Sequence, residues 1–175
     1  MTEKQNNYAM QLIKYAYELG AVDAKKFEID ELVFDCRTLL KCMFGCKEWG
    51  FGLTCPSANP HVTMEQYEKM IRKYKYGIII HANNKKPSHD ISFKLEKKAF
   101  LDGYYFAFSM SDCAQCKICA GFSREQCRNK SKARPAFHSL GIDLYATVKK
   151  FDLPLYPLKE NDQRTENWYS AILVE

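Results

Sequence analysis

No apolar run approaching about 18 residues occurs in the chain, and the opening MTEKQNNY lacks the apolar stretch of an export signal. These absences argue against a membrane-spanning helix and lead us to expect a soluble, cytoplasmic protein. A Gly-rich phosphate loop, a dinucleotide fingerprint and a Ser-centred nucleophile elbow are also missing. Gly50-Phe51-Gly52 is too short and in the wrong context to stand in for any of them. There is no linker, internal repeat or low-complexity tract either, so residues 1–175 read as one metal-binding domain, long enough to bury a core without cross-links.

Cysteine, by contrast, is plentiful. The eight residues fall into two quartets, Cys36, Cys42, Cys46, Cys55 and Cys113, Cys116, Cys119, Cys127. A reducing compartment keeps thiols from pairing, so a chain without an export signal uses such sets as metal ligands or redox groups. Scattered cysteines are often only small buried apolar residues, but two sets of four do not fit that description.

Hydrophobic periodicity supplies the elements. Tyr8, Leu12, Tyr15, Ala16 and Leu19 recur at helical spacing and stop at Gly20, which suits a left-handed C-terminal cap. Lys26 to Phe34 alternates through Phe27, Ile29, Leu32 and Phe34, a strand leading into Cys36. Arg37 to Pro60 holds three glycines and two prolines, a loop with one short helical turn. Thr63-Met64-Glu65-Gln66 fits a capping box, and Met64, Tyr67, Ile71 and Tyr74 form the stripe of the helix it opens.

Tyr76 to Ala82 is an interior strand, followed by a polar loop from Asn83 to His89 and a helix on Ile91, Leu95 and Ala99 that ends at Gly103. Tyr104 to Met110 is a strand that delivers the chain to Cys113. Two short helices follow, Pro135 to Leu140 and Leu144 to Lys150. Leu155 to Leu158, a turn through Glu160-Asn161-Asp162, and Trp168 to Val174 make a closing pair of strands. Without strict alternation of strand and helix, the expected class is α+β: a mixed or antiparallel sheet flanked by helices, with two cysteine-rich metal-binding loops at strand ends.

Cysteines at every third residue, as in Cys113-x2-Cys116-x2-Cys119, wrap the corners of an iron-sulfur cubane, so one or two 4Fe-4S clusters are the expected cofactor. Ferredoxin loops send a fourth Cys-Pro to the neighbouring cluster, and the only Cys-Pro pair here is Cys55-Pro56. Each quartet closing its own site, or Cys55 and Cys127 exchanging roles, both remain open. Zinc is the alternative cofactor, holding a binding module without redox activity. Zinc modules usually present two C-x2-C pairs, however, and neither quartet has that form. A radical S-adenosylmethionine enzyme would place a third cysteine at position 49, which is Trp49.

The histidines His61, His81, His89 and His138 are dispersed singly and read as surface or core residues. Trp49, Phe51, Phe122 and Phe137 read mostly as core that also screens a cluster from water. The net charge of +5 concentrates around and after Cys127, at Arg124, Arg128, Lys130, Lys132 and Arg134. Such a run is either a solvated face, an offset to the negative charge of a thiolate-bound cluster, or a dock for an acidic protein redox partner; with no nucleic-acid motif beside it, nucleic acid ranks low.

The pattern resembles a family catalogued as domain of unknown function 2284. Lys41-Cys42, Gly45-Cys46, Gly50 and Cys55-Pro56 carry the likeness, followed by Gly103-Tyr104-Tyr105, Ala107-Phe108 and the cysteine triplet. Cys127-Arg128, Ala133-Arg134-Pro135 and Gly141-Ile142-Asp143 complete it. The resemblance implies cysteine-bound metal, with no assigned reaction. Trp49, Ser57 and Ala136-Phe137 depart from the pattern, and Cys36 lies outside its matched part. A centre lacking Cys36 would leave an iron open to substrate, so an enzyme with a site-differentiated cluster is a further alternative.

Overall fold

Three consecutive isoleucines can be buried together only if both faces of their strand are covered, and this is how the sheet is built. The computed structural model describes residues 2–155 and 166–175. In it β1 (Asp23–Glu28), β2 (Tyr76–Ala82), β3 (Phe108–Ser111) and β4 (Trp168–Val174) form one antiparallel sheet in the order β1-β2-β4-β3. Every residue of β2 is buried. Alternation sends Tyr76, Ile78 and Ile80 to one face and Ile79 to the other. The class is α+β, as expected.

Two helices cover the first face. α1 (Glu3–Glu18) starts on a capping box made by Thr2 and Gln5, and buries Tyr8, Ala9, Leu12 and Ala16. It ends before Gly20, whose φ of +96° fits the expected cap. α4 (Lys85–Leu101) contributes Ile91, Leu95 and Ala99. Tyr8 donates to Asp102 at 2.6 Å, fastening α1 to the end of α4.

The second face is covered by short elements: α3 (Met64–Ile71), a 3-10 turn at His138–Leu140, and α5 (Leu144–Lys150), whose N-cap Asp143 accepts from Ala146 N–H. Phe137, Leu140, Ile142 and Val148 pack there against Phe27, Met110 and Leu173. Gly77 allows this packing, since a Cβ on it would lie 2.3 Å from the Phe27 ring. The capping box at Thr63 is present, with Thr63 N–H donating to Gln66 at 2.8 Å.

Several boundaries differ from the sequence reading. The first strand stops at Glu28 because Ile29–Glu31 turns as a 3-10 helix; Phe34 makes only an isolated bridge to Ile142. The first cysteine segment therefore follows a bridge, whereas the second follows β3. Residues 38–45 form α2 (Thr38–Gly45), more than the single turn expected, since the segment's first glycine, Gly45, stands only at the helix's end and the other glycines and the prolines come afterwards. The polar segment Asn83 to His89 is mostly the first turns of α4, and only His138–Leu140 of the Pro135 to Leu140 stretch is helical. Leu158 and the Glu160-Asn161-Asp162 turn lie outside the described residues. Among those described, no helix is long and apolar enough to cross a membrane.

Candidate metal centre

The first cysteine segment is a helix followed by tight turns. Asp35 N–H donates to Gly141 at 2.8 Å and Arg37 pairs with the Asp35 carboxylate, which holds that carboxyl at about 2. Cys36 is exposed beside this pair. Cys42 lies on α2, partly buried, and Cys46 ends the helix. Glu48 O then accepts from Phe51 and Gly52 N–H, and Cys55 N–H donates to Gly52 O at 3.1 Å. A Cβ on Gly52 would come within 2.4 Å of Cys55 Sγ, so a larger residue there would displace the thiol.

The second segment leaves β3 through Asp112. Its last triplet cysteine, Cys119, precedes a 3-10 turn at Ala120–Ser123, and Arg124 then takes φ +56°. Asn129 O accepts from Lys132 and Ala133 N–H at 2.9 Å each, and Asn129 Nδ2 donates to Cys116 Sγ at 3.2 Å. Cys113, Cys116, Cys119 and Cys127 all line one cavity of about 370 Å³. Gly52, Leu53 and Thr54 from the first segment supply part of its wall. The two segments touch at Gly121 and Phe51, and the Phe51 and Phe122 rings stack at 5.3 Å.

The thiols' surroundings divide them. Burial pushes the Cys55 thiol up to about 12, helped by the charges of Cys46, Glu48, Cys42 and Cys119. Cys42 is raised by burial and then by Cys46 and Asp112. Cys113 is also raised by burial, while the backbone N–H groups of Gln115 and Arg134 oppose the rise; Cys127 and Cys116 add to it. None of the eight is in a disulfide, and no three Cys, His, Asp or Glu side chains among the described residues gather tightly enough for a single ion.

The basic run separates into two kinds of residue. Arg124, Arg128, Lys130 and Lys132 are exposed. Arg134 instead turns inward, with only 14% of its side chain exposed, and pairs with Glu96 between the Phe93 and Phe108 rings. Of the aromatics, Phe137 is core, but Phe51 and Phe122 are substantially exposed. Phe44, between Cys42 and Cys46, is 82% exposed, and Ile118, between Cys116 and Cys119, is 74% exposed. Ile118 and Phe122 line the cavity, whose wall also carries Lys85, Lys86, Lys117 and Arg128 beside Glu48.

Asp112, Asn129 and Glu96 went unnoticed in the sequence. Asp112 adjoins Cys113, which was a usable signal; the other two are placed only by folding.

His89 and His81 are core residues. His89 is fully buried, with Nδ1 2.6 Å from Ser111 Oγ and no hydrogen bond of ordinary geometry at Nε2. Burial holds its pKa below the usual 6.5, and that of His81 likewise. The unfolded chain therefore takes up these protons first, so the stability is present above about pH 6.5 and falls as pH drops below it. Urea unfolding of the apoprotein from pH 7 to pH 5 is expected to show this loss, with a shallower pH dependence in H89Q. An unchanged slope in H89Q would refute the assignment.

A family model described as predicted metal-binding protein (DUF2284) matches residues 25–174. No curated protein and no solved structure matches the chain.

Proposed function

The chain belongs to this DUF2284 family of predicted metal-binding proteins, and on that premise we propose that its cysteines hold one or two 4Fe-4S clusters that pass electrons to an acidic protein partner. The observation that carries this reading is the cavity shared by Cys113, Cys116, Cys119 and Cys127, with the first cysteine segment as part of its wall. Thiols gathered around a volume of about 370 Å³ suit a cubane better than a lone ion. Four thiolates on one zinc must crowd within a few ångströms of one another, each about 2.3 Å from the metal. The four irons of a cubane set their thiolates farther apart.

The bound cluster would supply one-electron chemistry, and the protein's own groups would tune it. Asn129 Nδ2 and the backbone N–H groups of Gln115 and Arg134 point at thiol sulfurs, where donors favour the reduced, more negative state. Arg128 lines the cavity with Lys85, Lys86 and Lys117, and with the exposed Arg124, Lys130 and Lys132 on the same segment it suits an acidic partner. A docked partner would cover Phe44 and Ile118, excluding water from the electron's path.

Anaerobic purification is expected to give a brown protein with iron and acid-labile sulfide in equal amounts, reducible by dithionite. A colourless protein with zinc and no sulfide would overturn the reading in favour of a structural zinc site.

A further inference from the structure

Resting on that reading, we propose that the centres are crossed: Cys119 joins Cys42, Cys46 and Cys55, and Cys113, Cys116 and Cys127 form a second, three-thiolate centre. Cys36 belongs to neither. The sequence pairs Cys119 with Cys116, three residues earlier, but its position in the fold points the other way.

Cys119 immediately precedes the turn at Ala120–Ser123, and that turn rests on the first segment. A Cβ on Gly121 would lie 1.8 Å from Phe51 O and 3.2 Å from the Leu53 side chain, so the two backbones are in direct contact there. The stack of Phe51 on Phe122 holds the same junction from the outside. Cys55 follows Leu53 by two residues, and its thiol lies over Gly52, the neighbour of Phe51. Cys119 also lines the shared cavity, as expected of a residue on the wall between two centres.

Cys36 sits at the other end of α2, exposed and tied through Asp35 to Gly141. Without it, the Cys113 centre has no fourth protein thiolate. The cavity that these three thiols line also has Lys85, Lys117 and Arg128 in its wall, beside Glu48. That environment suits water or a small anion as the fourth ligand.

The test counts iron and sulfide in serine variants purified without oxygen. The parent and C36S are expected to hold about eight irons each, as two 4Fe-4S clusters. C55S/C119S removes two ligands from one centre and should keep about half the iron. C116S/C119S removes one ligand from each and should fall well below half. A parent holding only four irons, loss of iron in C36S, or C116S/C119S retaining half would each overturn the crossed arrangement.

Neighbourhood can also be read without metal. In C116S apoprotein treated with dibromobimane, peptide mapping should find Cys119 bridged to Cys55. A bridge to Cys113 or Cys127, or no bridge, would overturn the inference. An iron-free parent would refute the electron-transfer reading and leave this cross-link to decide the pairing on its own.

Discussion

Substituting Gly121 with alanine is expected to lower folding stability by about 3 kcal/mol, the upper range for forcing bulk into a packed contact. The added Cβ would stand 1.8 Å from Phe51 O and 2.9 Å from its carbonyl carbon, and backbone on both sides leaves no flexible side chain to yield. The two cysteine segments must then separate, which breaks the ring stack and moves Cys119 away from Cys55. Iron content should fall by half or more even where the protein remains folded. The control is G45A in the first segment, where a Cβ meets nothing within 4 Å. It should bind iron like the parent, with stability unchanged or slightly raised. Urea unfolding and iron analysis read both effects; G121A matching G45A would show that the segments do not touch.

Arg134 should produce the other large effect. Its guanidinium meets the Glu96 carboxylate with both side chains almost out of water, at 14% and 13% exposure. Glu96 also accepts from Ser109 N–H and Oγ at 2.7 and 2.6 Å, so it anchors β3 as well. Arg134 Nη1 donates to Ala133 O at 2.8 Å, and the next residue, Pro135, accepts from Ser111 N–H at 2.9 Å. The pair thus clamps the chain after Cys127 to the strand that leads into Cys113.

Removing the cation alone leaves a carboxylate stranded, and breaking a pair of this kind costs about 3 kcal/mol or more. R134A should therefore unfold at clearly lower urea and lose iron faster to a chelator. In R134M/E96Q no charge is stranded, so much of the stability should return. Cluster retention should remain impaired, since the clamp is still missing. Full recovery of both properties would limit Arg134 to a stabilising role remote from the centre.

Where the sequence was read correctly, the signal was local. The strands Tyr76 to Ala82 and Trp168 to Val174 and the helix Leu144 to Lys150 match the observed bounds, because continuous apolar runs, capping residues and terminal glycines act within a few positions. The Thr63 capping box is of the same kind. Errors arose where an outcome depended on remote partners. Phe34 alternates like a strand residue, but it makes just an isolated bridge to Ile142. Arg134 reads as one more cation in a basic run until Glu96, far away along the chain, takes it inward.

By itself the sequence determined that cysteine-bound metal was to be sought, the α+β class and most elements, since thiol spacing and hydrophobic period are properties of neighbouring residues. The tertiary structure decided the rest: the insertion of β4 between β2 and β3, the two-sided burial of the isoleucines, and the meeting of the cysteine segments at Gly121 and Phe51. Each depends on backbones approaching across long stretches of chain. Such approach is governed by the space a missing side chain leaves, which no local pattern of residues records.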